Sequence, residues 1–120
     1  MVNIKPFDLE ERTFKYAKDI FSFVKNCPRT ITNSEVVKQL IRSSGSVGAN
    51  YIEAREALSK KDFALRVKIC RKEVKESIYW LKLIDLKDKN MDDMRRSFID
   101  ESTELLKIFA SIVQKTKITK

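Results

Sequence analysis

The chain has 120 residues, a formal net charge of +8 and no histidine, and its isoelectric point lies near 9.6. That length favours one domain, and two glycines and two prolines cannot supply the turns of an all-β fold. The missing imidazole removes the commonest general base and metal ligand, while the positive charge points to acidic partners such as nucleic acid, an anionic membrane or an acidic protein.

The charge is unevenly placed. Residues 60–89 carry 10 basic and 5 acidic side chains, against 9 and 7 in residues 1–59 and 6 and 5 in residues 90–120. Cys27 and Cys70 are too few for a disulfide scaffold. With no recognisable leader, they are expected to be free thiols in a reducing cytoplasm. No apolar run approaches the roughly 20 residues that span a bilayer.

Four segments open with capping signatures: Asp8-x-x-Glu11, Thr32-x-x-Glu35, Ser59-x-x-Asp62 and Asn90-x-x-Asp93. Helical apolar spacing follows each. In the first segment Phe14, Ala17, Phe21 and Val24 form the expected seam, and Pro28 closes the helix. In the second, Val37, Leu40, Ser44, Val47, Tyr51, Ala54 and Leu58 alternate steps of three and four. The small residues from Ser43 to Gly48 are expected to stay helical and to let a neighbouring helix come close. In the third, Phe63, Val67, Cys70, Val74, Ser77, Leu81 and Ile84 continue the pattern. The fourth shows Met91, Met94, Phe98, Leu105, Ile108 and Ile112, with a second stripe of Ile99, Leu106, Phe109 and Val113. A second stripe needs its own cover, either a broad core or a partner subunit, and Ile99, Leu106, Phe109 and Val113 are the expected oligomer interface. The expected architecture is all-α, an antiparallel up-down-up-down four-helix bundle with helices near 8–26, 33–58, 60–88 and 91–117 in a single domain.

Lys61, Lys68, Lys75, Lys82 and Lys89 recur every seven residues, with Arg71 and Lys72 beside them. On one helix they form a line facing away from the seam. Leu65, Tyr79 and Leu86 lie on the adjacent row, a combination suited to a phosphate backbone. A charged helix exterior that serves only solubility is the competing reading.

Glu53, Asp62, Glu73 and Glu76 could suggest a carboxylate metal site, but the di-iron pattern needs Glu-x-x-His on two helices. These carboxylates are expected to pair with Arg42, Arg55 or Arg66, leaving the protein without a metal or other cofactor. Asn50 reads as a hydrogen-bonding residue that specifies packing. Ser43, Ser44 and Ser46 have no base to activate them and no phosphate-loop pattern around them, so no catalytic residue is assigned.

Ser46-Val47-Gly48-Ala49-Asn50-Tyr51-Ile52-Glu53-Ala54 resembles the S-I-G-A-N-x-x-E-A signature of the four-helix-bundle family of the 23S ribosomal RNA intervening-sequence protein. Ser59-Lys60-Lys61-Asp62-Phe63 is similar to its S-K-K-D-F joint. Lys72, Glu73, Glu76, Tyr79, Trp80 and Leu81 are similar to its K-E-x-x-E-x-x-Y-W-L helix. Leu9-Glu10-Glu11-Arg12-Thr13 resembles the opening of one branch. Val47 replaces the commoner Ile, and Arg12 stands where another branch carries Trp. The resemblance implies a ring-like homopentamer without enzymatic activity. It also implies kinship with the accessory protein of diversity-generating retroelements, which binds nucleic acid and a reverse transcriptase through a basic surface. The expected function is therefore a non-enzymatic oligomeric scaffold that binds RNA or DNA through the third helix. The alternative is a module that recruits a protein partner.

Overall fold

A computed structural model describes residues 6–118, and all of their regular structure is helical. The helices are α1 (Pro6–Val24), α2 (Ile31–Arg55), α3 (Lys60–Leu83) and α4 (Lys89–Ile118). Each packs against its neighbours in chain order, and α4 returns to α1. Partners run in opposite senses. Asn33 meets Asp85 and Asn50 meets Arg66 across α2 and α3, while Arg12 meets Glu101 and Phe23 meets Phe98 across α1 and α4. The result is the expected antiparallel four-helix bundle, about 50 × 27 × 20 Å.

The seams of α2 and α3 lie where their spacing put them. Leu40, Ser44, Val47, Tyr51 and Ala54 are buried from α2, and Val67, Cys70, Val74, Ser77 and Leu81 from α3. The α1 seam differs from expectation. Leu9, Thr13, Tyr16, Ile20, Phe23 and Cys27 fill the core, while Phe14 is 66% exposed and Phe21 38%. The chosen row was the neighbouring one, because α1 carries two apolar rows and periodicity alone does not say which turns inward.

Helix ends also move. Thr30, not Thr32, caps α2 by accepting from the Asn33 amide. Ser59 caps α3 as expected, accepting from Asp62 at 3.0 Å. Asp88, not Asn90, accepts from the Met91 amide at 3.0 Å. Asp8 lies inside the first turn of α1, where its charge faces the positive end of the helix dipole. Helix α2 stops at Arg55, so Leu58 sits in the connection and is almost fully exposed. Helix α3 stops at Leu83, not 88, and Ile84 is extended. The Arg95 guanidinium donates to the Leu81 and Ile84 carbonyls and so satisfies orphan acceptors at that end.

Gly45 and Gly48 lie within continuous α2, as expected. A Cβ at Gly48 would meet Thr13 Oγ1 at 3.0 Å, so the missing side chain allows α1 its close approach there. The core also contains a polar layer with one member from each helix. Tyr16 Oη lies 2.6 Å from Ser102 Oγ, and Ser43 Oγ lies 2.8 Å from Ser77 Oγ. Burial pushes the Tyr16 phenol up, with its bonds to Ser102 and Ser77 acting against that.

Candidate nucleic-acid interface

Helix α3 is built with two opposed faces. Its buried seam leaves Lys61, Leu65, Lys68, Lys72, Lys75, Tyr79 and Lys82 on the outside, each spaced three or four residues from the next and each exposed. The line of lysines and the adjacent apolar row thus merge into one outward stripe. It spans about 32 Å at the helical rise. Lys68, Arg71, Lys72, Lys75, Glu76 and Tyr79 border a shallow depression of about 430 Å³ on it.

One sequence expectation is corrected here. Lys89 does not continue the line, because α3 has ended and Lys89 opens α4, 3.6 Å from Asp93. Arg71 flanks the stripe as expected and is half-buried there, whereas Lys72 lies on the stripe itself.

The charge of the stripe is uncompensated. Among the described residues, no ion pair includes Lys61, Lys68, Arg71, Lys72, Lys75 or Lys82, whereas Arg12, Arg42, Arg55, Arg95 and Arg96 all have carboxylate partners. The two carboxylates in the middle of α3, Glu73 and Glu76, are already engaged. Arg42 of α2 donates to Glu76 at 2.6 Å and to Glu73 at 3.3 Å, so one guanidinium holds both carboxylates towards α2 and offsets one of their two charges.

That pairing realises the structural role expected of Glu73 and Glu76. Asn50 behaves as expected too: its Nδ2 donates to the Ser46 carbonyl at 2.9 Å and its Oδ1 accepts from Arg66 at 3.2 Å. Glu53 differs. It is exposed and has no ion pair among the described residues, because Arg55 turns to Glu10 at 2.6 Å and Arg66 to Asn50. No group of three or more His, Cys, Asp or Glu among the described residues is placed to hold a metal ion.

The hydroxyls and thiols are committed to the fold. Ser43 and Ser44 donate to the Leu40 and Ile41 carbonyls. Cys70 is buried and donates to the Val47 carbonyl at 3.3 Å, and burial pushes its thiol up to about 12. Cys27 is likewise free and buried, with its thiol raised by burial. No described helix is long and apolar enough to cross a membrane.

The second stripe of α4, expected at an oligomer interface, is instead covered by the chain's own core and is not a free surface. Phe109 and Val113 are buried with Leu105 in the chain's own core, and Ile99 and Leu106 are partly buried against it. An exposed apolar surface lies elsewhere, across α1 and α2. Phe14, Ala17, Gly45, Gly48, Ala49 and Ile52 line a groove of about 940 Å³ there, with Asp8, Glu10 and Glu11 on its rim. Ile52 is 47% exposed. The two rows of aromatic residues in α1, seven apart, were the sequence signal for this face.

The fold and its surface define an all-helical bundle with one basic face and one apolar face. The model of the 23S rRNA-intervening sequence protein family matches residues 6–111, and the chain belongs to that family. It is similar to the crystal structure of a protein of unknown function from the S23 ribosomal protein family of Bacteroides thetaiotaomicron VPI-5482. The two share 29% identity with a TM-score of 0.73, over 87% of this chain and 96% of that one. None of the curated proteins matches the chain.

Proposed function

We propose that this chain is a non-enzymatic, oligomeric scaffold that binds RNA or DNA through the outward face of α3. The observation that carries the reading is the stripe from Lys61 to Lys82, whose five lysines have no ion-pair partner among the described residues. A face that served only solubility could be balanced in sign, as α4 nearly is with six basic and five acidic residues. Cations left unpaired on a helix are free to replace the counterions of a phosphate backbone. The family is named for a 23S rRNA-intervening sequence protein, and a nucleic-acid partner is in keeping with that name.

Self-association belongs to the same proposal. The exposed Phe14 and Ile52, flanking the small residues of α2, form an apolar patch that a second copy would remove from water. A homopentamer is the assembly the family resemblance implies. A ring would repeat the basic stripe and multiply weak phosphate contacts.

Exposed Leu65, Tyr79 and Leu83 on or beside the basic stripe favour a second reading, in which this face recruits a protein. The resemblance implies kinship with retroelement accessory proteins, and the partner it points to is a reverse transcriptase. Fluorescence anisotropy of labelled RNA and DNA over a salt series separates the two. Nucleic-acid binding gives a log–log slope of about −0.9 per duplex phosphate contact or −0.7 for single strands. No binding at low salt would favour the protein partner.

A further inference from the structure

We infer that the α3 stripe takes single-stranded rather than duplex nucleic acid, with a base stacked on the Tyr79 ring. This rests on the nucleic-acid reading above and specifies the form of the ligand.

The shape of the bundle argues against a duplex. Helix α3 is flanked by α2 on one side and α4 on the other, and the bundle measures 27 × 20 Å across. A B-form major groove is about 12 Å wide. With α2 and α4 packed beside it, α3 presents a broad face of the bundle rather than a lone helix, so a duplex would meet the stripe chiefly through its phosphates. That contact would leave Leu65 and Tyr79, 56% and 58% exposed on the crest of the stripe, pressed against charged backbone. Apolar and aromatic groups gain nothing there and would hinder the approach of the lysines.

A single strand presents both of its chemistries to one surface: phosphates to cations and base faces to aromatic rings. The stripe offers the same two in alternation. Tyr79 stands between Lys75, one turn before it, and Lys82, one turn after it. Lys68, Arg71 and Lys72 continue the charge along the shared depression. The Tyr79 ring meets the Trp80 ring nearly perpendicularly, at 72° with centroids 4.9 Å apart. That contact holds the tyrosine in place while more than half of its surface stays open to solvent, so little side-chain freedom remains to be lost on stacking.

The test uses wild type, Tyr79→Ala and Tyr79→Phe with three labelled probes: an oligouridine, an oligothymidine and a mixed-sequence duplex of equal length. Wild type should bind both single strands more tightly than the duplex, since stacking is indifferent to the sugar. Tyr79→Ala should weaken single-strand binding by about 5- to 150-fold, the loss of one stacked base, with the salt slope unchanged because no charge is removed. Duplex binding should not move, and Tyr79→Phe should bind as wild type does. Single strands should also change the fluorescence of Trp80, the chain's only tryptophan. Full single-strand affinity in folded Tyr79→Ala, or equal weakening on strand and duplex, would overturn the inference while leaving the wild type's salt-dependent binding in place. Failure of wild type to bind any of the three probes would instead overturn the nucleic-acid reading itself, and this inference with it.

Discussion

The Asn33 side chain pairs with both backbone groups of Asp85, 52 residues away. Its Nδ2 donates to the Asp85 carbonyl at 3.0 Å, and its Oδ1 accepts from the Asp85 amide at 3.0 Å. The same Nδ2 donates to the Pro28 carbonyl at 2.9 Å. One carboxamide thus joins the α1–α2 connection to the α3–α4 connection at one end of the bundle. Asn33 is buried, so its loss leaves backbone groups unpaired away from water. Asn33→Ala should lose about 2–4 kcal/mol of stability. Asn33→Asp should do no better, because a buried carboxylate would face two carbonyls that need a donor. Urea unfolding at fixed protein concentration measures this, and an unshifted midpoint would contradict it.

The polar core layer predicts strong non-additivity. Ser43→Ala or Ser77→Ala alone removes one half of the 2.8 Å hydroxyl pair. The double variant removes both hydroxyls and leaves an apolar contact of nearly the same shape. The single variants should each cost about 1 kcal/mol, and the double less than their sum. A double-mutant cycle in thermal unfolding reads the coupling, and simple additivity would show that the pair contributes nothing as a pair.

The buried thiols set an alkaline limit. Cys70 has its pKa raised from 9.0 to about 12, chiefly by burial. Above pH 9 the unfolded chain releases a proton that the folded chain retains, so unfolding gains. The contribution is complete below pH 9 and is lost as pH rises towards 12. Stability should therefore hold through neutral pH and decline above about 9. Cys70→Ala should flatten that decline at some cost in packing. The native protein should also react slowly with thiol reagents and quickly once unfolded.

The apolar α1–α2 face predicts where assembly breaks. Phe14→Asp and Ile52→Asp change exposed positions and should leave the helical circular-dichroism signal intact. Light scattering coupled to size exclusion should give about five times 14.0 kDa for wild type and 14.0 kDa for the double variant. Ile99→Asp and Leu106→Asp, by contrast, should destabilise the protomer, because both side chains pack against its own core. A wild-type monomer, or an assembly indifferent to Phe14 and Ile52, would contradict this placement.

The seams of α2 and α3 were legible because each runs unbroken at alternating steps of three and four, while the other apolar residues, such as Ile52 on α2 and Leu65 and Tyr79 on α3, are interrupted by charged ones. Helices α1 and α4 carry two rows each, and only tertiary packing decides that Tyr16 and Phe23 turn inward while Phe14 turns out, and that Phe109 joins the core. The caps were misplaced by two residues where competing oxygens stand close together, as with Thr30 and Thr32 or Asp88 and Asn90. Of the candidate site, the seven-residue recurrence of lysines was readable. Its end at Lys82 was not, since Arg95 and Asn33 reach from distant positions to hold the chain where α3 stops. The pairing of Glu73 and Glu76 with Arg42 was readable as one of three options, and only the packing of α2 on α3 selects it.

The central claim is that unpaired cations on α3 bind phosphates. The most direct measurement is anisotropy of a labelled RNA with the Lys68→Glu/Lys72→Glu/Lys75→Glu variant, using Lys15→Glu/Lys38→Glu/Lys107→Glu as the control. The control removes the same charge from lysines that already have carboxylate partners. Both variants alter exposed residues and should fold by circular dichroism. The α3 variant should lose binding and most of the salt dependence, while the control should keep the wild-type salt slope with at most a small, long-range loss of affinity. Equal losses in the two variants, or unchanged affinity in the α3 variant, would contradict it.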